Sequence, residues 1–192
     1  MNRDGSMLKT VLDWLGFGRK AAVRERWTAA FGAFLAVLAV FAASGWAIGE
    51  QNLIVVTSMG SSAVLLFSSP HSSLSQPWPL VGGHVLAATV GVSCAAMLGV
   101  GLFSAGLAVG LAVLLMQWTR STHPPAGATA LAAVIGGDAV INLGWLFIVK
   151  PVLLNALLLL ISGLIINWPR RSHRYPLREI AISETDTDRH KE

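Results

Sequence analysis

The residues that could do chemistry in this chain are concentrated in Thr122-His123-Pro124-Pro125-Ala126-Gly127-Ala128-Thr129-Ala130. Pro125 suits the first turn of a helix, where its missing N–H costs nothing. A residue that precedes proline avoids the helical region. The spacing therefore predicts an extended chain through His123-Pro124 and a helix after Pro125. A helix start offers unpaired N–H groups and a partial positive charge, which suits an anion, and Gly127 leaves the backbone approachable. A second stretch, Thr57-Ser58-Met59-Gly60-Ser61-Ser62-Ala63, has the same character and precedes the apolar Val64-Leu65-Leu66-Phe67. Two such helix starts, converging, would cradle an anion through the backbone of Gly60, Ser61, Ser62, Pro125 and Gly127. Thr57, Ser58, Thr122 and Thr129 would add hydroxyl donors. The competing reading is that small residues and hydroxyls simply let apolar helices approach closely.

Three histidines lie in the same part of the chain: His71, in the loop SSPHSSLSQPWP; His84; and His123. Clustered histidines inside a membrane relay protons, contact substrate or sense pH. Separate interfacial histidines bonded to backbone or water are the plain alternative. Cys94 is the single cysteine, so neither a disulfide framework nor a cysteine metal site can be built. No nucleophile–base pairing or nucleotide-binding loop is legible, and the expectation is a protein that is not an enzyme and needs neither cofactor nor metal.

The elements that must position these residues follow from composition. The chain has 192 residues, 54% hydrophobic and 12% charged, against about a quarter charged in an ordinary soluble domain. Six Lys/Arg fall in residues 1–26 and six more in residues 169–192. Between them stand only Glu50, Arg120, Asp138 and Lys150. This is a membrane body between two charged tails. The net charge of +4 reads as positive-inside topology, with both termini cytoplasmic, and not as nucleic-acid binding. Arg120 either draws anions to a vestibule or serves that topology. Asp138 and Glu50, beside Gly137 and Gly49, read as interfacial turns.

The first long apolar run starts at Trp27 and is too long for a signal peptide. Before it, Leu8, Val11, Leu12 and Leu15 sit at helical spacing, as a surface-lying or short cytosolic helix would have them. From Leu80 to Trp118 run 39 almost wholly apolar residues. One helix of that length would reach roughly 58 Å, against a hydrocarbon core of about 30 Å, so the run must be two helices. Gly99, Gly101, Ser104 and Gly106 mark the turn. The last span runs from Leu143 to Trp168, with Pro151 expected to kink it and Lys150 to snorkel. Six of seven tryptophans fall at span ends, as in an aromatic belt. Segments 52–69 and 125–141 are shorter than a full span. An even number of crossings is met by six spans, the reading preferred here, or by four spans and two re-entrant half-helices.

At an offset of 67 residues Gly60 matches Gly127, Ala63 matches Ala130 and Trp78 matches Trp145. The order long, short, long then occurs twice, which as an inverted repeat would point to a transport site.

Thr122–Ala130, reading THPPAGATA, resembles the signature of the HPP family of integral membrane proteins. Gly60-Ser61-Ser62-Ala63-Val64-Leu65-Leu66-Phe67, Pro70-His71, Gln76-Pro77 and Gly82-Gly83-His84 resemble that family's G-A-S-A-V-L-L-F, P-H, Q-P and G-G-H, with Ser61 in place of the usual Ala. The resemblance covers roughly residues 28–168. It implies an all-α, polytopic membrane body over residues 27–168 and a transporter-like protein; some members have been linked to nitrite.

The resulting expectation is a transporter or facilitator of a small inorganic anion in a bacterial cytoplasmic membrane, nitrite first among candidates. His123 and His84 would donate a hydrogen bond or couple protons, with His71 and Arg120 nearer the vestibule. A channel of the same architecture, and a membrane scaffold with a partner-binding tail, are the alternatives. The partners are the bilayer and the anion, with assembly into a homo-oligomer left open.

Overall fold

Where water is excluded, every backbone polar group must be satisfied within the chain, and the helix does this locally. The computed structural model describes residues 23–48, 53–167 and 175–177. The amino-terminal segment with Leu8, Val11, Leu12 and Leu15, the turn expected at Glu50, Trp168 and most of the basic tail lie outside the described residues. Among those described there are seven α-helices and no strand: α1 Val23–Ile48, α2 Leu53–Ser68, α3 Pro77–Leu98, α4 Leu102–Trp118, α5 Ala126–Ile135, α6 Asp138–Ile141 and α7 Leu154–Asn167. A 3-10 turn, Ser73–Ser75, precedes α3.

Three stretches are long and apolar enough to cross a membrane: Val23–Trp46, Pro77–Leu98 and Ile148–Asn167. The apolar helices Leu102–Trp118 and Ala126–Ile135 are shorter. The 39-residue run breaks between Leu98 and Leu102. Gly99 takes φ 74° there, so the turn falls at the first of the glycines that marked it, while Ser104 and Gly106 lie inside α4. Pro151 sits in a π-helical turn, Ile148–Leu153, that leads directly into α7. A proline supplies no N–H to the helical ladder, and the widened turn absorbs the gap. The 67-residue offset does not superpose like positions, because Gly60 lies in the middle of α2 and Gly127 is the second residue of α5.

Two packed cores meet on α3. One gathers Ala36 and Val40 of α1, Met59, Ala63 and Leu66 of α2, Leu80 and Val92 of α3, and Leu159 of α7. The other is rich in alanine: Ala87 of α3, Ala105, Ala108 and Ala112 of α4, and Ala126 and Ala130 of α5, with Val90, Cys94, Met116 and Val134 buried among them. Lipid is as apolar as leucine, so close backbone approach, not hydrophobic exclusion, holds such helices together. The approach is closest at Gly91, where a Cβ would stand 2.5 Å from the Ala130 carbonyl oxygen and 2.6 Å from the Ala133 Cβ.

The outer surface suits lipid. Phe31, Phe34 and Phe41 of α1, and Leu102, Phe103 and Leu111 of α4, are exposed, as are Trp27, Trp46, Trp78, Trp118 and Trp145. Exposed apolar area on this scale marks a membrane-facing body. Aromatic rings near helix ends sit well at the headgroup level.

Candidate functional site

The site begins on α2. Residues four apart share a helix face. Ser58 and Ser62 are fully buried, while Thr57 and Ser61 are exposed, and the Ser61 hydroxyl turns back to the Thr57 carbonyl at 3.2 Å. The stretch Thr57–Ala63 is therefore not a helix start: α2 begins at Leu53, and backbone N–H groups in a helix interior are spent on the helix itself. What this stretch offers is side chains.

His84 comes from α3, where Pro77 stands in the first turn as a proline can without losing a bond. Gly83 lets the loop before α5 lie against α3. A Cβ on Gly83 would stand 2.7 Å from the Ser121 carbonyl oxygen and 2.9 Å from the His123 Cβ. The third contributor is the His123 loop with α5, which does begin just after Pro125. Its first amides, however, are occupied. Ala126 N–H donates to the His123 carbonyl at 2.9 Å, Gly127 N–H to Pro124 at 3.1 Å and Ala128 N–H to Pro125 at 3.1 Å. The two expected backbone cradles thus have no free donors, at Gly60 because the helix interior takes them and at Pro125–Gly127 because the turn does.

Side chains take their place. Ser62 Oγ lies 2.8 Å from His84 Nε2 and 2.9 Å from His123 Nε2. His84 Nδ1 lies 2.7 Å from Thr129 Oγ1, which lies 2.7 Å from Ser58 Oγ. His123 Nδ1 meets the Leu74 carbonyl at 2.8 Å. All five side chains are buried, and they form one continuous chain across α2, α3 and α5. The carbonyl can only accept, so His123 Nδ1 carries the hydrogen. The neutral ring then accepts at Nε2, and Ser62 donates to it. By the same count His84 Nε2–H donates to Ser62, Thr129 donates to His84 Nδ1 and Ser58 donates to Thr129. Burial lowers the affinity of His123 for a proton below that of an ordinary histidine, outweighing the Leu74 carbonyl, which raises it.

The Leu74 turn is itself held from a distance. Tyr175, buried, donates its hydroxyl to the Ser75 carbonyl at 3.0 Å, and Leu177 N–H donates to Gln76 Oε1 at 2.8 Å. Gln76 Nε2 in turn donates to the Pro70 and Ser72 carbonyls. Burial pushes the Tyr175 hydroxyl well above the usual tyrosine range. Sequence reasoning did not find this strap, and its signal is faint: one tyrosine, the only one in the chain, within a basic tail.

Other expected positions lie outside the chain of bonds. His71 is exposed. Arg120 is exposed with φ 54°. Its N–H bonds Gln117 and that of Ser121 bonds Met116, the pattern by which a left-handed residue closes a helix. Thr122, Pro125 and Gly127 are half-buried and Pro124 is exposed; a Cβ on Gly127 would meet nothing within 4 Å.

Residues 18–176 match the family described as HPP, transmembrane region. The chain is 35% identical over 176 residues to a transmembrane protein of Dictyostelium discoideum, covering 85% of this chain and 61% of that one. A second transmembrane protein of that organism is 37% identical over 136 residues, 67% of this chain and 42% of the other. The chain thus spans less than two thirds of the length of these relatives. No solved structure matches.

Proposed function

The chain belongs to the HPP family of integral membrane proteins, and on that premise we propose that it moves a small inorganic anion across the bilayer, with nitrite the first candidate. The observation that carries this reading is the bonded set Ser58, Thr129, His84, Ser62 and His123, buried inside an apolar helical body. Polar and ionisable groups are costly at membrane depth, and such groups mark ion and substrate paths.

The solute would be held by hydroxyls and imidazole N–H groups in place of free helix-end amides. Thr57, Gly60, Ser61 and Gly127, with the Thr122–Pro125 loop, would form the approach, and Arg120 and His71 the vestibule. The short helices α2 and α5 would complete six crossings as two three-element halves, both termini on the cytoplasmic side of a bacterial inner membrane. Nothing in this scheme transforms the solute or asks for a cofactor.

The test is uptake of nitrite into proteoliposomes, with nitrate and formate as comparators and protein-free vesicles subtracted. The expected result is saturable, protein-dependent uptake that falls at least about tenfold in His84→Gln, the equivalent of 1.4 kcal/mol of lost stabilisation. Absence of saturable uptake for all three anions would overturn the reading.

A further inference from the structure

Ser62 Oγ has three partners and not two. Besides the two imidazoles, it stands 3.1 Å from the Ser58 carbonyl oxygen. A hydroxyl has one hydrogen and two lone pairs, so the third partner is surplus while the imidazole pair is neutral. The surplus has a use when a proton arrives. From this geometry we infer that His84, Ser62 and His123 form a single-proton binding site that couples proton movement to the anion, an inference that rests on the transport reading above.

In the neutral pair, Ser62 donates to His123 Nε2 and accepts from His84 Nε2–H. When a hydronium gives its proton to His123 Nε2, an N–H bond forms, an O–H bond breaks and water leaves. The imidazolium then donates to Ser62, and the Ser62 hydrogen swings to the Ser58 carbonyl. The His123–Leu74, His84–Ser62, His84–Thr129 and Thr129–Ser58 bonds are unchanged. Both protonation states therefore have every polar atom of the chain satisfied, with the heavy atoms where they stand.

The capacity is one proton. The ring centroids are 5.0 Å apart, inclined at 60°, and two imidazolium charges at that separation in a medium of low dielectric repel strongly. Among the described residues no carboxylate bonds either imidazole, whose four ring nitrogens meet Ser62, Thr129 and the Leu74 carbonyl; Glu25 stands in the first turn of α1 and His71 is exposed in the loop before α3. Cys94, on α3 with His84, is buried in the alanine core; Asp138 lies on α6 and Lys150 in the π-helical turn; Arg120 is exposed at the end of α4; and the Tyr175 hydroxyl is taken by Ser75. The imidazolium is then the positive charge that a body with almost none would present to an anion, and it is present only when a proton is.

Two measurements on the full chain test this. The first is histidine 15N NMR in nanodiscs, assigned with His84→Gln and His123→Gln. The expected result is opposite neutral tautomers, hydrogen on Nδ1 of His123 and on Nε2 of His84, and uptake of one proton by the pair on acidification. Like tautomers, or two protons bound, would overturn the inference. The second is nitrite uptake with the membrane potential clamped and pyranine reporting internal pH, protein-free vesicles subtracted. One proton is expected to enter with each nitrite, and an inward gradient of one pH unit, which shifts the driving force by a factor of about ten, is expected to speed wild-type and Ser62→Thr uptake but not that of Ser62→Ala. Uptake indifferent to the gradient in wild type would overturn the coupling and leave anion transport standing. Opposite tautomers and one bound proton without uptake of nitrite, nitrate or formate would leave the proton site standing and remove the anion.

Discussion

His84 and His123, 39 residues apart in the chain, aim their Nε2 atoms at the same oxygen, Ser62 Oγ, from 2.8 and 2.9 Å. One hydroxyl thus ties α3 and the loop before α5 to α2, and each partner depends on the next for its hydrogen bond. Removing one member leaves a neighbour buried and unsatisfied, which costs more than the bond itself contributes.

Thr129 tests that dependence. Thr129→Val keeps the shape but deprives His84 Nδ1 and Ser58 of their partner. The expected loss is about 1–3 kcal/mol of stability, read as a lowered Tm in detergent. Thr129→Ser, which keeps the hydroxyl, is expected to lose less than half as much. Equal losses would show that packing, not the bond, matters at this position.

Adjacent glycines separate the close approach from the general flexibility of the signature. Gly83→Ala drives a methyl into the Ser121 carbonyl and the His123 Cβ, and overpacking of this kind costs about 1–3 kcal/mol. Gly82→Ala first meets the indole of Trp78, at 3.1 Å, an exposed ring held by one N–H bond to the Thr119 carbonyl, which has to shift by only a few tenths of an ångström. The first variant is expected to lower both Tm and nitrite uptake and the second neither.

The tail strap predicts an effect at a distance. Tyr175→Phe removes the bond to Ser75, one residue from the carbonyl that holds His123. Net stability should fall by about 0.5–1.5 kcal/mol. Amide exchange should quicken over residues 69–76, measured by hydrogen–deuterium exchange, and leave α4 unchanged.

Acid is expected to destabilise the fold. His123 binds a proton less readily in the folded protein than in the unfolded chain, so the unfolded state takes up more protons as pH falls. The stability is fully present above the ordinary histidine value of 6.5 and is lost as pH falls from there toward the lower folded value. The Tm of the wild type should fall between pH 7.5 and 5 more steeply than that of His123→Gln.

Arg120 distinguishes a cap from a functional charge. A non-glycine residue at φ 54° carries a steric penalty of about 1–2 kcal/mol, partly offset in glycine by the greater freedom of the unfolded chain. Arg120→Gly is therefore expected to leave Tm unchanged or raised. A fall in nitrite uptake with Tm intact would assign the guanidinium a part in drawing the anion.

The apolar body, its tryptophans near helix ends, the break at Gly99 and the helix start after Pro125 were all legible in the chain, because each depends on a local sum or on the stereochemistry of one or two residues. The candidate set drawn from the motifs even contained Ser58, Ser62, His84, His123 and Thr129. It also contained Thr57 and Ser61, which have the same chemistry, and nothing in the seven residues Thr57–Ala63 says which face of a helix will be covered. The phase of α2 decides that, and the phase is decided by what Met59, Ala63 and Leu66 pack against.

Tertiary structure alone decided the rest. It placed the start of α2 at Leu53 and occupied the first α5 amides with turn carbonyls, so the backbone donors expected of both segments are spent within the helices and their turns. It brought Leu74 to His123 across 49 residues and Tyr175 to Ser75 across 100. A hydrogen-bond partner that far along the chain leaves no periodicity to read. Burial makes such a partner obligatory, and packing chooses it.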